Sequence, residues 1–145
     1  MLTKKTALAT ILALGATTAA FAYATNPGVQ ARQEAMQSFG GDLKKLMPMV
    51  QGAAPFDAAT AQAAFAEMQA TAAEVPALFE AHEKDPESKA AESIWDNWDD
   101  FVIKAGALET AAAAGAGVDS LDALKTAMGP VNAACKACHM SYKTN

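Results

Sequence analysis

Several things are scarce in this chain, and each scarcity removes a class of function. Only two of its 145 residues are cysteines, two are histidines and one, Arg32, is an arginine. One short stretch therefore holds nearly all the thiol and imidazole chemistry available. No Gly-rich phosphate loop, nucleophile–base pair or cluster of metal-binding carboxylates occurs, so the sequence does not read as an enzyme. Aromatic residues are 7% of the chain while hydrophobic residues are 52%. Alanine fills much of the difference, and alanine is the best helix former. No strand-like alternation interrupts this, so the composition leans all-α. Positive charge is scarce too, at 11 basic against 16 acidic side chains and a net charge of −5. An acidic surface argues against nucleic acid or an anionic membrane as partner, and favours solubility or a basic partner.

What is present concentrates near the C-terminus, in Cys135-Lys136-Ala137-Cys138-His139. Two thiols three residues apart, followed at once by an imidazole, form the C-x-x-C-H signature of covalent c-type haem attachment. The cysteines add across the haem vinyl groups as thioethers, and the histidine reaches the iron as an axial ligand. The spacing also suits a disulfide or a thioredoxin-like redox pair, but the latter needs a βαβ context that is missing here. Structural zinc needs four ligands, and only His82 could join these three. In an exported chain the haem reading prevails.

Export is what the N-terminus implies. Residues 1–24 read as a signal peptide, with Lys4 and Lys5 before an apolar run from Ala7 to Ala20. Ala20-Phe21-Ala22 and Ala22-Tyr23-Ala24 offer cleavage after Ala22 or after Ala24. The run is short for a transmembrane helix, so the expectation is a soluble periplasmic protein with no membrane anchor after processing. Losing two lysines leaves 9 basic against 16 acidic residues, a balance of −7. The remaining residues, 25–145, suffice for one domain with one core.

Punctuation divides that domain into four helices, expected near 27–50, 57–81, 86–114 and 120–143. Asn26-Pro27 and Asp85-Pro86 each offer a cap followed by proline at the first helical position. Asp57 and Asp119-Ser120 supply two more caps, and short loops separate the segments. Apolar residues recur in alternating steps of three and four, the mark of a heptad seam. The second segment has Ala58, Ala61, Phe65, Met68, Ala72, Val75 and Phe79. The third has Ala91, Ile94, Trp98, Phe101, Ala105, Leu108 and Ala112, and the fourth Leu121, Leu124, Met128, Val131, Cys135, Cys138 and Tyr142. Four such helices pack as an antiparallel up-down-up-down four-helix bundle. Pro76 and Pro130 each remove a backbone donor and should bend their helices.

The first segment keeps the same steps with one discord: Val29, Arg32, Met36, Phe39, Leu43, Leu46 and Val50. A guanidinium on a core-facing position needs a partner. Haem propionates, bound by the planar fork, would be one; an edge position open to solvent is the plainer alternative. Met36 follows Arg32 by one turn and so shares its face. With His139 on one side of the haem, residue 36 would look at the sixth coordination position from the other. His82 reads as a solvated loop residue. Asp96, Asp99 and Asp100 read as an outward, solvated helix face.

These stretches resemble the cytochrome c′ family, the class II c-type cytochromes, which are up-and-down four-helix bundles. The resemblance rests on Cys135 to His139 with Tyr142-Lys143 after it, and on Arg32-Gln33-Glu34-Ala35-Met36. Ser38 to Lys44 with its Gly40-Gly41 pair, and Ile94-Trp95, add to it. It extends over the whole mature chain. It implies one covalent haem c on Cys135 and Cys138, with His139 as proximal ligand. It also implies Arg32 and Gln33 beside the haem and its propionates, Glu92 along the haem edge, and pairing as a homodimer through the first two helices. Lys143 stands where many relatives carry arginine, and lysine offers a point charge instead of a fork.

The expected function is electron transfer with redox partner proteins, through a five-coordinate high-spin haem able to bind NO or CO. The alternative is a six-coordinate low-spin carrier in which Met36 ligates iron. The resemblance implies one fold for both kinds, with Met, Leu or Phe at this position in high-spin members and a ligating Met in low-spin ones.

Overall fold

Three side-chain caps start three long helices where the sequence places them. In the computed structural model, which describes residues 23–145, the Asn26 side chain accepts from the Val29 N–H at 3.0 Å. Asp57 accepts from Thr60 at 2.6 Å and Ser120 from Ala123 at 3.3 Å. Each satisfies an N–H that the first helical turn leaves without a partner. Helix α1 spans Pro27–Val50, α2 Ala58–Glu80 and, after a short α3 at Ser93–Asp96, α4 Trp98–Gly115 and α5 Leu121–Tyr142. The leader reading of residues 1–22 lies outside the described residues. No helix among the described residues is long and apolar enough to cross a membrane.

The long helices form the four-helix bundle expected from the seams. In the second segment Ala61, Phe65, Met68, Ala72, Val75 and Phe79 are all buried. Ile94, Phe101, Ala105, Leu108 and Ala112 from α3 and α4 meet them, with Leu124, Met128, Val131 and Tyr142 from α5. Gly115 permits one tight approach: a methyl there would lie 2.4 Å from the Phe65 ring. Helix α2 lies against α1 and α4, and α4 lies against α5, whereas α1 and α5 meet only marginally. Pro48, Pro76 and Pro130 sit inside α1, α2 and α5, which continue through them.

The third segment departs from expectation. A helix from residue 86 is not formed; residues 86–92 are a turn and an extended stretch before α3. The reason is that Asp85 caps something else. One carboxylate oxygen accepts from the N–H groups of Thr25 (2.8 Å) and Asn26 (3.0 Å), the other from Glu87 (2.9 Å). The turn closes with Ser88 N–H on Asp85 O. The stretch that follows bonds to the end of the chain, Ala91 N–H to Tyr142 O and Thr144 N–H to Lys89 O, both at 2.9 Å. A second interruption at Asn97, with φ −129° and ψ 48°, separates α3 from α4.

A buried acid is a further departure. Asp42 is 0% exposed in the α1–α2 face, where Lys45 bridges it (3.0 Å) to Glu67 of α2 (2.8 Å). Its second carboxylate oxygen has no partner among the described residues, and burial pushes its pKa up.

The three N–H groups on Asp85 hold its carboxyl down at about 2. A depressed carboxylate stabilises the fold above the ordinary range near about pH 4, and that contribution is lost as pH falls through the folded value. Asp85→Ala should therefore lower the thermal unfolding midpoint at neutral pH. The gap between the two proteins should close as pH approaches 2, which melting curves across an acid series will check.

Candidate functional site

The last two turns of α5 carry the motif. Cys135 and Cys138 extend the seam of Leu124, Met128 and Val131 and are half-buried against the core. Both thiols are free. Burial raises the pKa of each, and in Cys138 the neighbouring Cys135 adds to the effect. They are thus neutral thiols at a helix C-terminus, where the helix dipole further disfavours a thiolate. A redox-active pair needs the reverse setting, a helix N-terminus or a cationic neighbour that lowers the pKa. Among the described residues no group of three or more Cys, His, Asp or Glu could hold a metal ion by itself. His139 stands about 60° off the buried seam of α5 by helical periodicity. It keeps a solvent-exposed face, yet desolvation and then Lys143 lower its pKa. Its imidazole is neutral at physiological pH, as a metal ligand must be.

The end of α5 is fastened from three directions. Tyr142 is buried, its ring meets Phe101 edge-on at 5.4 Å, and its hydroxyl donates to the Asp100 carboxylate. Asp100 is held in turn by Lys104 at 2.9 Å. Ser93 donates to the Ser141 carbonyl at 2.9 Å. Hydrogen bonding to an anion and then burial push the Tyr142 phenol up to about 12. Asp100 was expected to be merely solvated, and this tie corrects that reading; Asp96 and Asp99 are exposed as expected.

On α1 the lone arginine takes partners that the sequence did not suggest. Arg32 is 3% exposed, and its guanidinium donates to the carbonyls of Leu78 (2.9 Å), Glu83 (3.1 Å) and Ala81. These are orphan carbonyls at and beyond the C-terminus of α2, where no glycine closes the helix. Its charge lies over the Phe79 ring at 4.8 Å and the Trp95 ring at 5.5 Å. Burial lowers its pKa, partly opposed by Glu83. The guanidinium thus has a partner set within the chain, which corrects the expectation that only an anion or water could satisfy it.

Arg32 and Met36 were expected to share a face, but the structure separates them by burial. Met36 is 37% exposed, and by helical periodicity it lies opposite Lys45, which bonds to Glu67 of α2. Leu43 and Met47 continue that side and are partly buried. Gly40 lies there too, one turn beyond Met36, and a Cβ on it would meet nothing within 4 Å. The donor set fits a covalently held haem: two neutral thiols one turn apart, with a neutral imidazole beside them.

Gln33 and Glu92 are placed less simply. Gln33 accepts from the Ala24 N–H at 3.0 Å and donates to Glu87 O at 3.3 Å, so its amide is held by the N-terminal stretch. Glu92 is 61% exposed and pairs with His82 (2.7 Å) and Lys84 (2.8 Å), which lower its pKa. His82 is no free loop residue, because its ring stacks on Trp95 at 3.9 Å. Trp95 donates to Phe79 O at 2.8 Å and so sits between His82 and Arg32. Sequence reasoning missed this stack because its members come from three segments; the Ile94-Trp95 step was its only visible sign.

A four-helix bundle with C-x-x-C-H on its last helix defines a class II c-type cytochrome, and comparison with known proteins agrees. The sequence model of the family described as Cytochrome C' matches residues 28–143, so the chain belongs to the cytochrome c′ family. It is 35% identical over 117 residues to cytochrome c-556 of Agrobacterium fabrum (strain C58), covering 79% of this chain and 80% of that one. It is 31% identical over 143 residues to cytochrome c' of Rhodopseudomonas palustris, covering 96% and 97%. Among solved structures it resembles cytochrome c' from Rhodopseudomonas palustris with a TM-score of 0.78 and 27% identity, over 83% of this chain and 98% of that one. It also resembles a nitric oxide complex of a variant cytochrome c prime from Alcaligenes xylosoxidans, with TM-score 0.72 and 31% identity, over 81% and 94%. Proteins of this family carry covalently bound haem c and serve electron transport.

Two outcomes test the ties around the site. Arg32→Met should cost about 3 kcal/mol in denaturant unfolding, because buried carbonyls lose charge-assisted bonds. Arg32→Lys should recover only part of that, since an ammonium cannot match the fork. In a spectrophotometric titration one of the two phenols should ionise near 12, and Asp100→Asn should bring that value down toward the ordinary tyrosine range.

Proposed function

We propose that this chain is a periplasmic monohaem c-type cytochrome that carries single electrons and leaves its sixth coordination position open to NO or CO. Cys135 and Cys138 tether the haem and His139 holds the iron from the proximal side. The observation that carries this reading is the pair of half-buried neutral thiols beside an uncharged imidazole at the end of α5. When bound, the haem supplies a one-electron ferric/ferrous couple.

The chain's own residues set the conditions. Tyr142, Asp100 and Lys104 fix the last turn of α5, so His139 keeps one direction in both oxidation states. Phe39, Leu43 and Met47 from α1 exclude water on the facing side. A dry, rigid setting limits reorganisation on electron transfer and favours an uncharged diatomic over water or anions. Met36 guards the sixth position as an apolar plug with three rotatable bonds. Arg32 and Gln33 border the propionates from their anchored positions, Arg32 through charge and Gln33 through its amide. Glu92 marks the outer edge, where its pairs with His82 and Lys84 leave it hydrated. Electron partners meet the haem edge there, and a homodimer forms through α1 and α2.

A second reading has Met36 ligating iron in a six-coordinate low-spin carrier. It is favoured by the 37% exposure of Met36, which leaves the thioether uncommitted to core packing within the chain. Three cytochrome c-556 relatives match at 34–35% identity against 31–32% for two cytochromes c', although a fourth cytochrome c-556 matches at 28%. The nitric oxide complex of a relative favours the open site.

Absorption spectra of the reduced protein with and without CO decide between them. The open-site reading expects a high-spin spectrum that changes on adding CO. A low-spin spectrum indifferent to CO would instead make Met36 a ligand. With an open site, Met36→Ala should speed CO association roughly tenfold, equal to about 1.4 kcal/mol of barrier. An unchanged rate would remove Met36 as the gate.

A further inference from the structure

The sequence leaves two places where the leader could be cut, after Ala22 or after Ala24, and the folded domain treats the two residues between them very differently from a discarded leader. Ala24 is 1% exposed. Its N–H donates to the side-chain oxygen of Gln33 at 3.0 Å, and its carbonyl accepts from the side-chain amide of Gln30. Tyr23, 53% exposed, donates its hydroxyl to the Gln37 side chain at 2.8 Å. Three glutamines spaced along one side of α1 thus hold two residues that the later cut would remove. Thr25 and Asn26, which follow, are tied to Asp85 instead.

We propose that the Ala22–Tyr23 bond is the processing site, cut by an exported-leader peptidase that reads small residues at the first and third positions before the bond. Water adds across the amide, leaving a carboxylate on Ala22 and an ammonium on Tyr23. The new charge arises on an exposed residue, where it stays hydrated. Cutting after Ala24 would take from Gln30 its carbonyl partner, leave Gln33 with Glu87 alone, and remove the buried Ala24 from its place against α1. A Thr25 ammonium would strengthen only the contact with Asp85, which the earlier cut keeps as well. The consequence for the haem region is direct: Ala24 fixes the amide of Gln33, which the proposed function sets beside the propionates.

The inference rests on the reading of the chain as an exported protein, and one experiment separates the two. The full chain is expressed, the periplasmic fraction purified, and the intact mass measured. The expected polypeptide runs from Tyr23 to Asn145; a chain beginning at Thr25, or an uncut one, overturns the inference. The haem adduct is read in the same spectrum, so a bare polypeptide beginning at Tyr23 would sink the haem reading and leave the processing site standing. A chain placed behind a foreign leader so as to begin at Thr25 should melt at least about 4 °C lower. Equal melting points would show the Tyr23–Ala24 contacts to be idle and remove the ground for the proposal.

Discussion

The structure depends first on a single buried cation. Helix α2 ends without a glycine, so its last carbonyls need donors from elsewhere, and an unpaired carbonyl in a dry interior is expensive. Arg32 supplies them from α1, reaching three carbonyls across the end of α2 and the turn beyond it. In doing so it sets the register of α1 against α2. It also gives Trp95 a cationic floor, over which His82 stacks. A desolvated charge is tolerated there because fixed dipoles replace its hydration, and two aromatic rings meet its faces.

From that clasp the order of the rest follows. The turn that Arg32 holds leads into Asp85, and Asp85 gathers the N–H groups of Thr25 and Asn26. The N-terminal stretch is thereby laid along α1 with the help of its glutamines. At the far end of the chain, the stretch after Asp85 pairs with residues 142–144 and steadies the turn that bears His139. Both ends of the described chain are thus secured by the segment between α2 and α4, most of which the sequence presented as helix. Helices α1 and α5, the first and last long helices, meet only marginally.

Much of this was legible from residue order. The seams of α2, α4 and α5 name the core almost residue by residue, because heptad spacing has only one way to bury an apolar stripe. The caps Asn26, Asp57 and Ser120 act locally, each on the N–H three residues on, and so they read correctly. Asp85 looked the same and misled. Its first-choice donors lie some sixty residues back in the chain, and a cap with competing donors cannot be assigned from spacing. Arg32 misled for a related reason: its seam position declared a need for a partner but not which one. Gln33, Glu92 and His82 all bond to groups distant in sequence, so only the fold reveals their neighbours.

By itself the sequence determined the chemistry and the architecture: two thiols and an imidazole in fixed succession, on the last of four seamed helices. Those features are short-range, set by bonds and helical periodicity alone. Tertiary structure decided what sits beside them. It turned the lone arginine into a helix cap and made a tyrosine the brace for the ligand-bearing turn. It buried Ala24 against α1, because each of those choices depends on which distant groups the packed helices leave without partners.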